Sequence, residues 1–285
     1  MAWVMHKLIF KVKAPLHIGW RKTGNLMQTR PYILGRTMLG ALTAAITPKA
    51  RQSIEKKDYE EVWRKLYSSY FYPIVCPEKD KGDAELLSQL WKQPDVYAYR
   101  FLDAYAGTAT FEVSKTAAEG TLHQVEYIRP FTRPGAGPKS QTEDSVCLVG
   151  YILLKKSDAD LIEHIPPRLQ VGGERSYGWG FIELVKKKEA NLLWGQWKLV
   201  AETQVDEEIG PLFEALDNGE NTSLALAHVR AEGATGIAEG TVEPLVAWGV
   251  NGLEYLGVFY SPGSKLKPEV RRIRMDNQGF WEAVT

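Results

Sequence analysis

Apolar and polar positions along the first 185 residues predict strands interspersed with helices. Residues 3–13 alternate apolar and charged side chains, which is typical of a half-buried strand, and residues 146–154 form a continuous apolar run typical of a buried one. Apolar side chains recur at helical spacing from Thr37 until Pro48, and a second helix is predicted from about Asp58. Further predicted elements are a strand pair at 111–114 and 121–129, a short helix at 159–165 and a strand at 181–185. This order indicates an α+β fold, with helices on one face of an antiparallel sheet.

The last hundred residues have a pattern richer in strands. Short strand candidates at 197–202, 223–229, 242–250, 254–260 and 280–284 are separated by turn residues, and one helix is predicted at 211–216. A charged run at 186–190 lies between the two patterns. We therefore predict a domain of residues 1–187, with insertions and a glycine-rich loop, and a smaller β-rich domain of residues 188–285. Within the first, we expect an insertion with a short amphipathic helix at 77–95 and a flexible loop at 130–142.

The charge balance restricts the kind of partner that the chain can bind. The 35 basic and 35 acidic residues cancel, so contact with a polyanion depends on local clusters of charge. This argues against a free-standing protein that scans nucleic acid, and it fits a subunit whose other surfaces contact protein. Nine Trp and thirteen Tyr agree with that view, because aromatic side chains serve both cores and interfaces.

Cysteine usage and hydropathy set the expected compartment. Cys76 and Cys147 are far apart and lack CxxC spacing, so we expect neither a zinc site nor a disulfide. We expect no metal and no cofactor. The N-terminus lacks a signal-peptide pattern, and no apolar run approaches the roughly 20 residues that span a bilayer. The expected location is the cytoplasm, without a membrane partner.

The segment VGGERSYGWGF at residues 171–181 concentrates the candidate chemistry. Its four glycines can adopt positive φ and lack a Cβ, so backbone N–H groups can converge on phosphate oxygens. Arg175 adds a bidentate cation, and the Tyr and Trp of the segment offer faces for stacking. The alternative is a tight turn before the strand at Phe181. The segment matches neither a P-loop nor a dinucleotide-binding fingerprint, which argues against an NTPase and a Rossmann dehydrogenase.

Two further segments, taken with this loop, resemble the RAMP superfamily of CRISPR–Cas proteins. Residues 16–20 have the sequence LHIGW, and after a basic loop residues 31–45 have the sequence PYILGRTMLGALTAA. The superfamily has an LHIG-type strand end, a PYIPG-type loop and a GALR-type helix, and its G-loop is similar to Gly172 to Gly180. Leu34 stands where the family loop often has proline, and Thr43 where the helix often has arginine.

The resemblance covers the first 185 residues and implies a ferredoxin-like (RRM-like) fold, with the β-rich C-terminal region as a candidate second ferredoxin-like unit. It implies an RNA-binding subunit that holds CRISPR RNA for antiviral defence, next to other subunits of a type III-like effector complex. We expect these RNA-binding residues: His17, Arg21, Lys22, Arg30, Arg36, Gly172, Gly173, Arg175, Ser176, Tyr177, Gly178, Trp179 and Gly180. Phosphate contacts predict binding that weakens steeply with salt.

Catalysis is a separate question, since some members of the superfamily cleave RNA. Their backbone subunits use an aspartate in the loop after the first strand, but residues 19–30 contain neither Asp nor Glu. We therefore expect a non-catalytic subunit. The alternative is a metal-independent endoribonuclease that processes CRISPR precursor RNA, with His17 as general base beside Arg21 and Lys22. A small-molecule-binding α+β enzyme remains as a third interpretation if the resemblance is accidental.

Overall fold

The computed structural model describes residues 2–50, 56–76, 90–111, 114, 116–135, 143–200, 210–216, 224–232, 236–249 and 252–284. Its helices include α1 (Gly35–Ala50), α2 (Lys56–Lys65) and α3 (Pro94–Phe101), with 3-10 helices at Lys156–His164 and Arg175–Tyr177. Helix α1 packs against α2 and against the 3-10 helix Lys156–His164. None of the described helices is long and apolar enough to cross a membrane.

A central antiparallel sheet organises the N-terminal part of the chain. It contains β1 (Trp3–Val12), β4 (Tyr67–Ser68), β5 (Tyr72–Val75), β8 (Val146–Lys155), β9 (Arg168–Gln170) and β10 (Phe181–Ala190). The order is β4-β8-β1-β10-β9, with β5 also paired to β8. Strand β8 is buried along nearly its whole length, which explains its continuous apolar sequence.

A second, four-stranded sheet lies beside the first. It contains β2 (Gly19–Thr23), β3 (Leu26–Thr29), β6 (Leu102–Gly107) and β7 (His123–Ile128), in the order β2-β3-β7-β6. The basic segment predicted as a loop at 19–30 is therefore a β-hairpin. Thr23 pairs with Leu26 across a turn at Gly24, whose φ of 59° favours glycine.

The C-terminal part forms a third sheet of eight strands. It contains β11 (Leu192–Leu193), β12 (Trp197–Leu199), β13 (Leu212–Ala215), β14 (Val229–Arg230), β16 (Val242–Gly249), β17 (Gly252–Tyr260), β19 (Arg272–Met275) and β20 (Trp281–Val284). The order is β11-β12-β13-β19-β20-β14-β17-β16, and β15 (Ile237–Glu239) pairs separately with β18 (Lys265–Leu266).

The structure confirms the α+β fold with mostly antiparallel sheets and few helices, while the ferredoxin-like connectivity stays a prediction. Several local predictions were wrong. The predicted helix at 211–216 is strand β13, which pairs on both sides with β12 and β19. The described residues of 111–114 lie outside the named strands, and the charged run at 186–190 belongs to β10. Most of the predicted segment 77–95 and residues 136–142 of the predicted loop lie outside the described residues.

The predicted absence of a disulfide was also wrong. Strand β5 pairs with β8, and the residue after β5, Cys76, donates its backbone N–H to the carbonyl oxygen of Ser145. This pairing brings Cys76 and Cys147 within 4.8 Å at their Cα atoms, and the two form a disulfide. A separation of 71 residues hid their proximity in the sequence.

Buried side chains from both predicted domains form one hydrophobic core. Polar contacts also join the two parts. The Tyr72 hydroxyl donates to the carbonyl oxygen of Leu226 at 2.8 Å, and Tyr70 Oη lies 2.6 Å from His228 Nδ1. The C-terminal sheet is therefore packed directly against the N-terminal part.

Candidate nucleic-acid interface

The glycine-rich loop lies directly on the end of the first motif, although more than 150 residues separate them in sequence. The backbone N–H of Gly173 donates to the carbonyl oxygen of His17, and that of Gly180 donates to Pro15, both at 2.8 Å. The N–H of Val171 donates to Gly180 at 2.9 Å and closes the base of the loop. The two segments singled out in the sequence thus form one structural unit.

Close backbone approach explains two of the glycines. Gly172 and Gly180 have φ of 83° and 84°, in the left-handed region that disfavours other residues. A Cβ at Gly172 would lie 2.3 Å from the His17 carbonyl oxygen, and one at Gly180 would lie 2.1 Å from the Val171 carbonyl oxygen. Any larger residue there would displace the loop from the strand end.

The tip of the loop is a 3-10 turn that presents its side chains to solvent. Arg175, Ser176 and Gly178 are exposed, and Tyr177 is 79% exposed. The Gln170 side-chain amide, from β9, donates to the carbonyl oxygens of Arg175 and Trp179 at 3.0 and 2.9 Å. The tip is therefore held by the Gln170 side chain, which was not among the residues predicted to bind RNA.

A groove of about 1150 Å³ opens between this loop, α1, α2 and the β16–β17 hairpin, and we call it the basic groove. Arg36, Arg64 and Arg175 line it, together with two acidic residues, Glu60 and Glu254. Beyond Arg36 and Thr37, the α1 wall is formed by three small residues, Gly40, Ala41 and Ala44. Small side chains there allow a backbone to approach the helix closely, and the arginines supply bidentate donors for phosphate.

Helices α1 and α2 position two of the arginines. The Arg36 guanidinium donates to Gln278 Oε1 at 2.6 Å and lies 5.7 Å from the Trp63 ring centroid. Trp63 stacks on Tyr59 at 6.1 Å, and both rings line the basic groove. Helix α1 has no acidic residue in its first turn, so its N-terminal dipole adds to the positive potential near Arg36. Tyr59, Trp63 and Arg64 were not among the residues predicted from the sequence, where their only signal was their place on the predicted second helix.

Arg21 and Lys22 lie outside the lining of the basic groove, on the exposed strand β2 next to it. Gly19, at the start of the same strand, does line the groove. The Arg21 guanidinium stacks on Trp20 at 4.0 Å and its Nε donates to Gln28 Oε1 at 2.7 Å. These two cations can therefore extend a phosphate-binding surface beyond one end of the groove.

Arg30 does not belong to this surface, contrary to the expectation from its place in a basic loop. Only 6% of the residue is exposed, and its guanidinium makes two hydrogen bonds of 2.9 Å with the Glu243 carboxylate. Glu243 lies on β16, more than 200 residues further along the chain. The Arg30 guanidinium thus forms a buried ion pair that joins the two parts of the molecule.

His17 is also placed differently from a catalytic or phosphate-binding residue. It is 7% exposed, and its Nδ1 lies 2.7 Å from the carbonyl oxygen of Glu126, to which it donates. Its ring lies under the glycine-rich loop, where a Cβ at Gly173 would be 3.1 Å from His17 Cδ2. The ring therefore serves as packing beneath the loop.

Trp179 faces away from the basic groove. Its ring centroid lies 5.2 Å from that of Tyr127 and 6.2 Å from that of Tyr105, both in edge-to-face geometry. Thr43, at the position where the resembling family often has arginine, is fully buried in α1. Among the described residues, no group of three or more His, Cys, Asp or Glu side chains could hold a metal ion.

Comparisons with known proteins bear on the fold. No protein-family model and no curated protein matches the chain. A chain of the cryo-EM structure of the Type III-B Cmr-beta bound to cognate target RNA and AMPPnP is 14% identical, with a TM-score of 0.50 over 92% of this chain and 86% of that one. A chain of the Type III-B Cmr-beta bound to cognate target RNA is 13% identical, with a TM-score of 0.48 over 93% and 87% of the two chains. At the first of these scores, the chain shares its overall fold with a component of a Type III-B Cmr-beta complex.

Proposed function

We propose that this chain is an RNA-binding, non-catalytic subunit of a CRISPR–Cas effector complex of type III, and that it holds CRISPR RNA for antiviral defence. The observation that carries the proposal is the seating of the glycine-rich loop on the LHIGW strand end, beside a groove that contains three arginines. The fold shared with a component of an RNA-bound Type III-B Cmr-beta complex supports it. The expected partners are CRISPR RNA and other effector subunits, and the expected location is the cytoplasm.

The basic groove has the chemistry that a sugar-phosphate backbone requires. Arg36, Arg64 and Arg175 would bind phosphate oxygens, while the small residues of α1 let the chain approach. The exposed Arg21 and Lys22 would extend the contact along β2. The Tyr59 and Trp63 rings offer a surface for ribose or base. With contacts mainly to phosphate, the affinity for RNA within the groove would depend on charge and depend little on the RNA sequence.

One surface of the C-terminal sheet supports the proposed contact with other subunits. Strand β16 is an edge of the C-terminal sheet, and outside the basic groove the β16–β17 hairpin exposes Val242, Tyr255 and Val258 by 38% to 64%. Apolar side chains on an exposed sheet edge are a common site of protein contact. We therefore propose this hairpin as a surface covered by another subunit in the complex.

The nuclease alternative receives less support from the geometry. A general base must reach the 2′-hydroxyl of its substrate, but His17 is buried and its Nδ1 proton is directed at the Glu126 carbonyl oxygen. Arg21 and Lys22 project from the exposed strand β2. The candidate base nearest to them in sequence, His17, is buried. We therefore favour a role in binding.

The salt dependence of RNA binding tests the proposal. For single-stranded RNA, each phosphate contact contributes about −0.7 to the slope of log Kobs against log salt. The three groove arginines together with Arg21 and Lys22 predict a slope of about −3.5, and Arg175→Ala should reduce its magnitude by about 0.7. The measurement is fluorescence anisotropy with labelled CRISPR repeat RNA, full-length protein and EDTA, over a salt series.

Lys198→Ala is the matched control, because Lys198 is exposed on β12 and does not line the groove. It should leave both affinity and slope unchanged. Gel analysis of the same tubes should show intact RNA. Absence of binding at low salt, or equal losses for Arg175→Ala and Lys198→Ala, would contradict the proposed groove. Cleavage at one position that His17→Ala abolishes would favour the nuclease.

A further inference from the structure

A second cavity, of about 460 Å³, lies on the other side of the glycine-rich loop, and we call it the aromatic cavity. It is formed between the loop and strands β6 and β7. The side chains that line it include Tyr105, Tyr127, Tyr177 and Trp179, together with His123 and Glu174. The volume falls within the roughly 300–1,000 Å³ of small-ligand sites. Four aromatic side chains in a cavity of this size suggest a flat, π-rich ligand.

The aromatic walls are open to solvent to an unusual degree. Trp179 is fixed by edge-to-face contacts with Tyr127 and Tyr105, whereas Tyr105 is 58% exposed and Tyr177 is 79% exposed. Exposed clustered rings cost free energy in water unless a ligand covers them. Nucleobases have the shape and π-face that such rings bind in single-stranded nucleic acid complexes.

Glu174 supplies the charged group of this cavity. Its backbone adopts φ of 55° without being glycine, and its carbonyl oxygen accepts the N–H groups of Tyr177 and Trp179 at 3.0 and 3.3 Å. A non-glycine residue held in this region marks a locally constrained conformation. The structure describes no hydrogen bond or ion pair for the Glu174 carboxylate within the described part of the chain. This carboxylate is therefore available to a ligand.

We propose that the aromatic cavity binds an unpaired guanine base, with the Glu174 carboxylate on its Watson–Crick edge. An ionised carboxylate has only acceptors, so it matches two adjacent donors. Guanine presents such a pair, N1–H and N2–H. Adenine and cytosine place a ring acceptor beside their amino group, and uracil flanks its single N–H with two carbonyl oxygens. Guanine is thus the base that the carboxylate can bind in bidentate fashion without repulsion.

The position of the loop connects this base site with the basic groove, so the inference rests on the proposed function. Arg175 lines the groove, while its neighbour Glu174 and the nearby Tyr177 line the aromatic cavity. A nucleotide whose phosphate binds Arg175 can turn its base across the loop tip into the cavity. The loop would then hold the backbone on one side and select one base on the other.

Three short oligouridine RNAs test the proposal, each with one central guanosine, adenosine or inosine. Inosine retains N1–H and lacks the N2 amino group, so it removes one donor of the pair. Fluorescence anisotropy with full-length protein at low salt should give affinity for the guanosine RNA about fivefold or more above the other two. Glu174→Gln should abolish this preference. Arg175→Ala should weaken all three RNAs alike and preserve the preference.

Competition by free guanosine monophosphate distinguishes a cavity that binds a base within RNA from one that binds a free nucleotide. Displacement of the guanosine RNA by the nucleotide, with adenosine monophosphate inactive, supports the cavity, and Glu174→Gln should remove it. RNA binding without base preference, or a preference that Glu174→Gln leaves intact, overturns the base site and leaves the proposed function standing. Saturable guanosine monophosphate binding without RNA binding would assign the cavity to a free nucleotide and contradict the proposed function. Binding of neither ligand overturns both.

Discussion

At the scale of single residues, Glu243 has the densest set of polar contacts between the two parts of the chain. Its carboxylate accepts two hydrogen bonds from Arg30, one from the Trp20 indole at 3.0 Å and one from His228 at 2.7 Å. Burial lowers the pKa of His228, so the ring is neutral at neutral pH, with Nε2–H donating to Glu243 and Nδ1 accepting from the Tyr70 hydroxyl. The network therefore fixes the β2–β3 hairpin to the C-terminal sheet.

We predict that Glu243→Gln lowers the free energy of unfolding by about 3 kcal/mol near neutral pH, because it leaves the Arg30 guanidinium buried without a counter-charge. Burial acts to raise the pKa of the Glu243 carboxyl, but hydrogen bonds from His228 and Arg30, and the positive charge of Arg30, outweigh it and hold that pKa below its ordinary 4.5. The unfolded state therefore takes up this proton first as the pH falls, and wild-type stability decreases below pH 4.5.

The glutamine variant lacks this proton uptake, so the stability difference between wild type and variant should narrow as the pH falls from about 5 to about 3. Urea unfolding at both pH values measures it. Glu269→Gln changes an exposed carboxylate and should stay within about 0.5 kcal/mol of wild type at either pH. A difference that stays constant with pH would contradict the ion-pair assignment.

Residues whose role depends on the neighbouring sequence could be predicted, whereas residues whose contacts come from distant parts of the chain could not. Gly172 and Gly180 were identifiable because a glycine-rich stretch indicates backbone that needs positive φ or close approach, and both conditions hold here. Arg30 was misplaced as a surface cation because its partner is 213 residues away. His17 was misplaced for a similar reason, since the loop that covers it comes from residues 172–173.

At the scale of elements, strand β8 shows how one glycine permits a tightly packed sheet. Strand β8 pairs with β1 on one side and with β4 and β5 on the other. A Cβ at Gly150, in the middle of β8, would lie 2.4 to 2.6 Å from three atoms of the Phe71 ring. Phe71 in turn exchanges backbone hydrogen bonds with Ile33, in the segment before α1. The glycine thus allows the ring to lie flat on the central strand.

We predict that Gly150→Ala lowers the free energy of unfolding by about 1–3 kcal/mol through overpacking. The cost should be smaller in a Phe71→Ala background, because truncation at Cβ removes the three crowded ring atoms. Urea unfolding of the four members of this cycle measures the coupling. Gly40→Ala is the control, since its nearest neighbour would be 3.7 Å away and the helix gains up to about 1 kcal/mol. Equal costs in both backgrounds would exclude crowding by Phe71.

Element type was predictable where the pattern was long and strong. The buried run of β8 and the alternation of β1 gave correct strands, and the helical spacing of α1 gave a correct helix. The short segment 211–216 was predicted as a helix, although it forms β13, because six residues carry little periodicity and the two neighbouring strands decide its conformation. The strand predicted at 181–185 is the first half of β10, but its continuation through the charged run 186–190 was missed, since pairing with β1 leaves many of those side chains in solvent.

At the scale of the whole molecule, the two predicted domains are joined by a shared interior. The hydrophobic core is continuous from the central sheet to the C-terminal sheet. Gly35, at the start of α1, packs so closely on the C-terminal part that a Cβ would lie 2.3 Å from the Gln278 carbonyl oxygen. Apolar packing and buried polar contacts of this extent are typical of a single folding unit.

We predict that the chain unfolds in urea in one cooperative transition, because neither part can separate without exposing this core and the Tyr70–His228 hydrogen bond. Pulsed hydrogen–deuterium exchange across a urea series, measured peptide by peptide, gives one signal for β8, which lies before residue 188, and another for β17, which lies after it. The two signals should give the same midpoint.

Tyr70→Phe should lower both midpoints together and reduce the free energy of unfolding by about 1–3 kcal/mol, because it leaves His228 Nδ1 buried without its donor. Tyr255→Phe, at a residue 64% exposed, should shift neither. Two separated midpoints, or a Tyr70→Phe effect on one signal alone, would show that the parts unfold independently and that the contacts between them are weaker than their burial implies.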